Sequence, residues 1–375
     1  MPERSVSTFE KIDLSEELPP IPIESVDDWK EIPVIECGEK LVPIGVFSEF
    51  PNCDTSAVYF GERGQEEEVN LLKQEVNRDV SLISHFVREG VLEKLEIAQS
   101  LIPKGYYFRF WDNFRPLAVQ QELYDAQKNI IEKAHLEWND KQLEQETQKY
   151  VSLPSPNEKH GTTHPSPHNT GGVVDLTIIQ MDEIGEKRLE KLEQKKQSEE
   201  LNYPIAENEK SDFRIVESWI EKKAEQKKWS KSHKEDIKNN WLSEYRYARE
   251  KADIFKKHTK ALNMGTKFDH FGSEAAMRYY EEKTEKGNLN EEEKQILQNR
   301  RFLYEVMTQA GFSNYPEEWW HWSYGDNMDA ANNPAKYFAI YGSIEPSEKN
   351  IAFEKTRRGV HFDSTNNVEK GGLFR

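Results

Sequence analysis

His168 and Asp175 stand in the stretch Ser166-Pro-His168-Asn-Thr-Gly171-Gly172-Val-Val-Asp175-Leu-Thr177. The apolar residues Val173, Val174, Leu176, Ile178 and Ile179 bracket the aspartate and predict a buried strand. A carboxylate inside such a run must be paired or bound to a metal, because burying it alone is costly. Far downstream, Glu318-Trp319-Trp320-His321 offers a second imidazole. His168, Asp175 and His321 together make a candidate three-ligand zinc site with one position left open. That is the layout of a catalytic zinc, since structural sites usually have four protein ligands. The same residues also admit a plainer account, a satisfied buried His–Asp pair with His321 unrelated to it. His160 and His164 read as exposed loop residues rather than ligands.

The elements that must position these groups are read from the rest of the chain. At 375 residues the protein can bury a sizeable core, as one large domain with additions or as two. Mean hydropathy is −0.89, polar for a globular protein. Yet 9 Trp, 15 Tyr and 18 Phe are too many aromatics for a mostly disordered chain. The net charge of −17 argues against nucleic acid as a partner and against an anionic substrate, unless local arginines oppose the field. Cys37 and Cys53 cannot form a disulfide framework or a thiolate zinc site by themselves. No apolar leader follows Met1 and no run of 18 apolar residues occurs, so the expectation is a cytoplasmic protein that does not span a membrane.

Residues 1–30, with Pro19-Pro20-Ile21-Pro22, predict an extended arm. Residues 31–60 predict short strands, with Gly38 at a turn. The spacing of Val87, Val91, Leu95, Ala98 and Ile102 predicts a helix over 75–102, stopped by Pro103-Lys104-Gly105. Tyr106 to Trp111 predict an aromatic strand, and Ala118, Leu123, Ala126 and Ile130 a helix after Pro116. Residues 182–260 are near neutral, unlike the acidic remainder, and carry amphipathic spacing such as Ile237, Trp241, Tyr245 and Ala248. They predict a helical insertion, packed on the body or offered to a protein partner. Asn290 and Glu293 predict a capping box at the head of a helix over 290–309. The segment 343–375 reads as a polar tail lying loosely on the surface.

With these blocks assembled, the chain resembles the zinc D-alanyl-D-alanine dipeptidases, the vancomycin-resistance enzymes and their relatives. The resemblance rests on Trp111-Asp-Asn-Phe-Arg115-Pro116, on Ser166-x-His168-x-x-Gly171-x-x-x-Asp175, and on Glu318-Trp-Trp-His321. Met264-Gly-Thr-Lys-Phe-Asp269 is a weaker fourth block. Val173 departs from the alanine usual in the family, and 182–260 replaces what is normally a short connection. The resemblance implies Zn²⁺ on His168, Asp175 and His321. It implies Glu318 as general base, Arg115 facing the developing oxyanion, Asp269 receiving the substrate's ammonium, and Ser166 close to the bound dipeptide. Taken singly, Arg115 reads first as an ordinary salt-bridged turn, Asp269 also admits a turn cap, and Ser166 reads equally as a loop serine.

The expected fold is therefore α+β, a mostly antiparallel sheet with packed helices and an extra helical insertion. The expected domains are an arm at 1–30, a catalytic body at 31–181 and 261–342, the insertion at 182–260 and the tail at 343–375. The expected reaction is zinc-dependent hydrolysis of a free D,D-dipeptide such as D-Ala-D-Ala. A second class of function is an inactive or weak homologue that binds a protein partner, or itself, through the insertion.

Overall fold

The computed structural model describes residues 10–61, 76–154, 165–205, 210–287, 289–333 and 335–365. His160 and His164 lie outside them. The strands are β1 (Leu41–Ile44), β2 (Cys53–Thr55), β3 (His85–Arg88), β4 (Tyr106–Asp112), β5 (Val173–Met181), β6 (Thr259–Ala261), β7 (Ser313–Asn314) and β8 (His321–Ser323). The helices are α1 (Glu89–Leu101), α2 (Leu117–Ala134), α3 (Asp140–Thr147), α4 (Pro167–Thr170), α5 (Glu183–Gln197), α6 (Lys210–Lys227) and α7 (Lys231–His258). They continue with α8 (Tyr279–Lys286), α9 (Glu291–Gln309), α10 (Asn327–Asn332) and α11 (Glu348–Thr365). The chain is an α+β protein.

One sheet runs in the order β2-β4-β5-β8-β7, with β6 also paired to β5, and β1 and β3 form a separate ribbon. Every pairing is antiparallel except β2 with β4. Side chains alternate between the two faces of a strand. Val174, Leu176 and Ile178 of β5 accordingly share one core with Phe108 and Phe110 of β4, Val91, Leu95 and Ala98 of α1, and Phe302, Leu303 and Val306 of α9. Asp175 points the other way.

The periodicity over 75–102 mixes two elements. Only Glu89–Leu101 is helical, and Val87 belongs to β3. Val87 and Val91 are four residues apart, so a strand residue and a helix residue mimic one helical stripe. In α2 the buried face is Val119, Leu123 and Ala126, whereas Ala118 and Ile130 are exposed. The capping box forms as read: Asn290 Oδ1 accepts from Glu293 N at 2.9 Å, and Glu293 Oε2 accepts from Asn290 N at 3.0 Å.

Helices α5 and α7 pack on each other and, through Leu189, Leu192, Ile254 and Phe255, on Ile179 and Met181 of β5. Their entry and exit lie side by side, since Asp182 N donates to His258 O at 2.9 Å. The buried Lys251 ties α7 to the body, reaching Asn52 Oδ1 at 2.6 Å and Glu193 Oε1 at 3.1 Å. No helix among the described residues is long and apolar enough to cross a membrane.

The described parts of both terminal segments are integrated into the body. In the N-terminal arm Ile12, Leu18 and Ile21 are buried in the main core, and Arg301 binds Glu17 and Leu18 O. Within the tail read from 343, the stretch Ile344 to Glu354 is docked rather than loose. Ile344 and Phe353 pack with Leu41, Phe86 and Phe114, and Asn350 Nδ2 donates to Leu41 O at 2.9 Å. Glu354 accepts from the backbone of Ile83 and Ser84 at 2.9 Å each. The segment's low hydrophobicity hid this, because half of its docking is polar.

Next to that junction His85 is buried, and burial, aided by Arg357, pushes its imidazole down to about 3. An unfolded histidine titrates near 6.5. Between those values the unfolded chain holds the proton and the folded chain does not. The stability that neutral His85 contributes is therefore complete above about pH 6.5 and is lost as pH falls toward 3, at up to about 1.4 kcal/mol per pH unit. Urea unfolding at pH 7, 5 and 4 is expected to show a shallower loss in His85→Gln than in wild type. Equal pH slopes would refute the assignment.

Candidate metal centre and active site

The register of the sheet assembles the site. Asp175 on β5 is paired with His321 on β8. On the other side β4 slips its register between Phe110 and Asp112, so that Asp112 rather than Trp111 faces Asp175. Without that bulge Asp112 would share the core face with Phe108 and Phe110. One extra residue turns it to the opposite face, as bulges beside functional sites commonly do. Asp112, Asp175 and His321 thus form a row across three adjacent strands.

His168 reaches the row from α4. Pro167 opens this single turn and Gly171 closes it with φ +72°, a backbone angle that favours glycine. Its Nδ1 donates to Asn113 O at 2.9 Å, which fixes the tautomer and leaves Nε2 as an acceptor facing Asp175 Oδ2 at 3.4 Å. From the other side His321 Nδ1 lies 3.3 Å from Asp175 Oδ1 and 3.6 Å from Glu318 Oε2. One donor atom from each of His168, Asp175 and His321 falls within 4.8 Å of the others, and all three residues are buried.

The electrostatics call for a cation. Burial, then Asp112 and Asp269, push the Asp175 carboxyl well above its usual range. Burial raises Asp112 too, against the pull of Arg115. Burial, then Arg115 and His321, hold the His168 imidazole well down, and burial lowers His321, so both rings are neutral. Asp175 Oδ1 is buried without a hydrogen-bond partner among the described residues. Two neutral imidazoles and an orphaned carboxylate oxygen, converging in a field of carboxylates, fit a divalent metal, and this donor set suits zinc. His168, Asp175 and His321 are positioned to bind it.

A cavity of about 430 Å³ opens over the row. Arg115, Ser166, His168, Asp175, Asp269, Glu318 and His321 all line it. The Arg115 guanidinium is held by Asp112 Oδ2, at 2.8 Å from Nε and 2.5 Å from Nη2, and by Gln120 Oε1 at 2.7 Å. It also lies 5.0 Å from the ring of Tyr59. Glu318 is pushed up to about 7, by burial first, with Asp175 and Asp269 adding to it and His321 opposing. About a third of its side chain, 35%, faces the open cavity, so it is wetter than Asp175. Asp269 adopts φ +63°, a left-handed conformation uncommon for a residue with a Cβ. Trp320 lines the cavity, while Trp319 packs beneath it against Trp111.

Several groups escaped the sequence reading. Tyr59 and Gln120 brace Arg115, Asn113 orients His168 through its carbonyl, and Trp29, Tyr150 and Phe271 form the outer wall. Only Asn113 lies inside a block that the sequence marked. The others are lone residues outside any motif, and all but Gln120, five residues from Arg115, take their roles from long-range packing that leaves no periodic signal.

Comparison with known proteins converges on one family. The profile of the D-ala-D-ala dipeptidase family matches residues 216–340. A D-alanyl-D-alanine dipeptidase of Synechocystis sp. is 23% identical over 333 residues, covering 84% of this chain and 95% of its own length. The chain is similar to the D-ala-D-ala dipeptidase family over that stretch. Asp269, Glu318 and His321 fall inside the stretch that the family profile matches, and Arg115, Ser166, His168 and Asp175 precede it. The match begins within α6, so it takes in part of the helical segment read from sequence as an insertion.

Proposed function

We propose that this protein is a zinc-dependent dipeptidase acting on a free D,D-dipeptide, with D-Ala-D-Ala as the best fit. The observation that carries this reading is the convergence of His168, Asp175 and His321 in one cavity with Glu318 beside it, in a chain similar to this family.

A zinc ion held by the three residues supplies Lewis acidity toward the peptide carbonyl and toward water. The remaining steps belong to the chain. Glu318, poised near neutrality and open to the cavity, takes the proton of the attacking water at its carboxylate and passes it to the leaving amine. Arg115, pinned by Asp112 and Gln120, meets the negative charge that develops on the carbonyl oxygen. Asp269 receives the substrate's ammonium, and Ser166 lies against the bound dipeptide. A buried ammonium needs an anion beside it, so Asp269 favours substrates with a free amino terminus over those without one.

Arg115→Lys is expected to lower kcat by about 10²–10³ with little change in KM. A lysine offers a point charge where a planar fork braced on two partners is needed. Steady-state kinetics on the folded variant checks this, and a loss confined to KM would reassign Arg115 to substrate binding.

The reading is tested by amine release from a panel of dipeptides: D-Ala-D-Ala, L-Ala-L-Ala, mixed-chirality pairs and N-acetyl-D-Ala-D-Ala. The zinc-loaded protein is expected to cleave free D-Ala-D-Ala and spare the acetylated compound. No cleavage of any member would overturn the assignment.

A further inference from the structure

We propose that Arg300 is a positioning residue for amine recognition, fixing the loop 264–277 that presents Asp269 to the cavity. This rests on the reading above, in which Asp269 takes the substrate ammonium.

Arg300 lies on α9, fully buried at 0% exposure, and forms no ion pair among the described residues. A guanidinium buried without a carboxylate is costly unless its donors are otherwise satisfied. Here backbone carbonyls satisfy them. Nε donates to Met264 O at 2.8 Å, Nη1 to Ala276 O at 2.5 Å and Nη2 to Glu274 O at 2.6 Å. The ring of Tyr280 lies 4.9 Å from the guanidinium carbon. These carbonyls come from both ends of one loop, its first residue and its returning limb. A single planar cation therefore ties the base of the loop shut.

Asp269 sits between the tied ends in its left-handed conformation. Aspartate tolerates such a backbone angle in turns better than most residues do, and the tied ends of the loop help to hold it there. The same loop is fastened to the segment carrying Glu318 and His321. Trp319 Nε1 donates to Thr266 Oγ1 at 2.8 Å, Trp319 N to Ala275 O at 3.0 Å and Met277 N to Pro316 O at 2.8 Å. Arg300 thus sets the distance between the carboxylate proposed to hold the amine and the residues proposed to do the chemistry. Lysine cannot reproduce this, because one ammonium does not span carbonyls arranged around a planar fork.

The test compares wild type with Arg300→Lys on two substrates, D-Ala-D-Ala and the N-D-lactoyl amide of D-alanine, in which a hydroxyl replaces the ammonium. The expected result is a roughly 10-fold loss of kcat/KM on the free amine, carried by KM, with less than about a 2-fold loss on the hydroxyl compound. The preference for the amine therefore shrinks. In Asp269→Asn, adding Arg300→Lys is expected to shrink it no further, since the two residues act as one unit. A purely structural role would lower thermal stability and leave the preference of the folded enzyme unchanged, and that result overturns the inference. If Arg300→Lys does not fold, Thr266→Val, which cuts the bond to Trp319, is read on the same two substrates. An unchanged preference there overturns the inference equally. Wild type cleaving neither substrate sinks the dipeptidase reading itself, whereas wild-type cleavage with an unmoved preference in the variant sinks this inference alone.

Discussion

Glu318→Gln is expected to lower kcat by about 10²–10⁴ while the protein keeps its metal, the loss typical of removing a positioned acid–base group. Glutamine preserves the size and cavity exposure of the side chain. It removes only the capacity to accept and return a proton. Glu318 stands 3.6 Å from His321 Nδ1 and is not one of the three residues that converge as ligands, so metal content should stay at the wild-type level. Burial raises the carboxyl to about 7, which suits a group that must bind and release a proton near neutral pH. Kinetics paired with elemental analysis of the same preparation decides the matter. Activity within tenfold of wild type at full metal content would remove Glu318 from the chemistry.

Asp175→Asn should abolish turnover by a different route, loss of the ion. Asp175 is the sole carboxylate of the three-residue set and sits between the imidazoles, at 3.4 Å from His168 Nε2 and 3.3 Å from His321 Nδ1. An amide keeps the shape and removes the anion. In wild type, zinc at about 1,000 times its dissociation constant stabilises the fold by about 4 kcal/mol through mass action. Thermal unfolding with and without zinc is expected to show a large upward shift in wild type and little or none in Asp175→Asn. An equal shift in both proteins would place the ion elsewhere.

How far the sequence reveals this site depends on the kind of signal each residue leaves. Asp175 marks itself because an ionisable residue inside an apolar strand demands a partner; the residues alone leave a buried His–Asp pair equally open, and the resemblance points to the set of His168, Asp175 and His321. The strand of Asp175 and the capping box of α9 follow from local pattern. The bulge at Asp112 did not show, because nothing in Phe110-Trp111-Asp112 states which residue is to be squeezed out of register. The false extension of the helix over 76–88 arose from Val87 and Val91, whose spacing is the same whether or not an element boundary falls between them. The docking of the C-terminal segment was invisible for another reason. Asn350 and Glu354 anchor it by hydrogen bonds to backbone groups more than 250 residues away. Polar anchors of that kind look like ordinary surface residues in a sequence.

That last contact also bears on synthesis. Ser84 and the Glu354 that accepts its amide are 270 residues apart. At translation rates of about 5–20 residues per second, roughly 15 to 50 s separate the two on the ribosome. During that interval Phe86, beside the peptide groups that Glu354 will satisfy, lacks the cover of Phe353. His168 and Asp175 meanwhile wait for His321. The nascent chain must therefore spend that interval with an open flank, and much of it with an incomplete metal site. Capture of the ion by all three residues waits until His321 has been made.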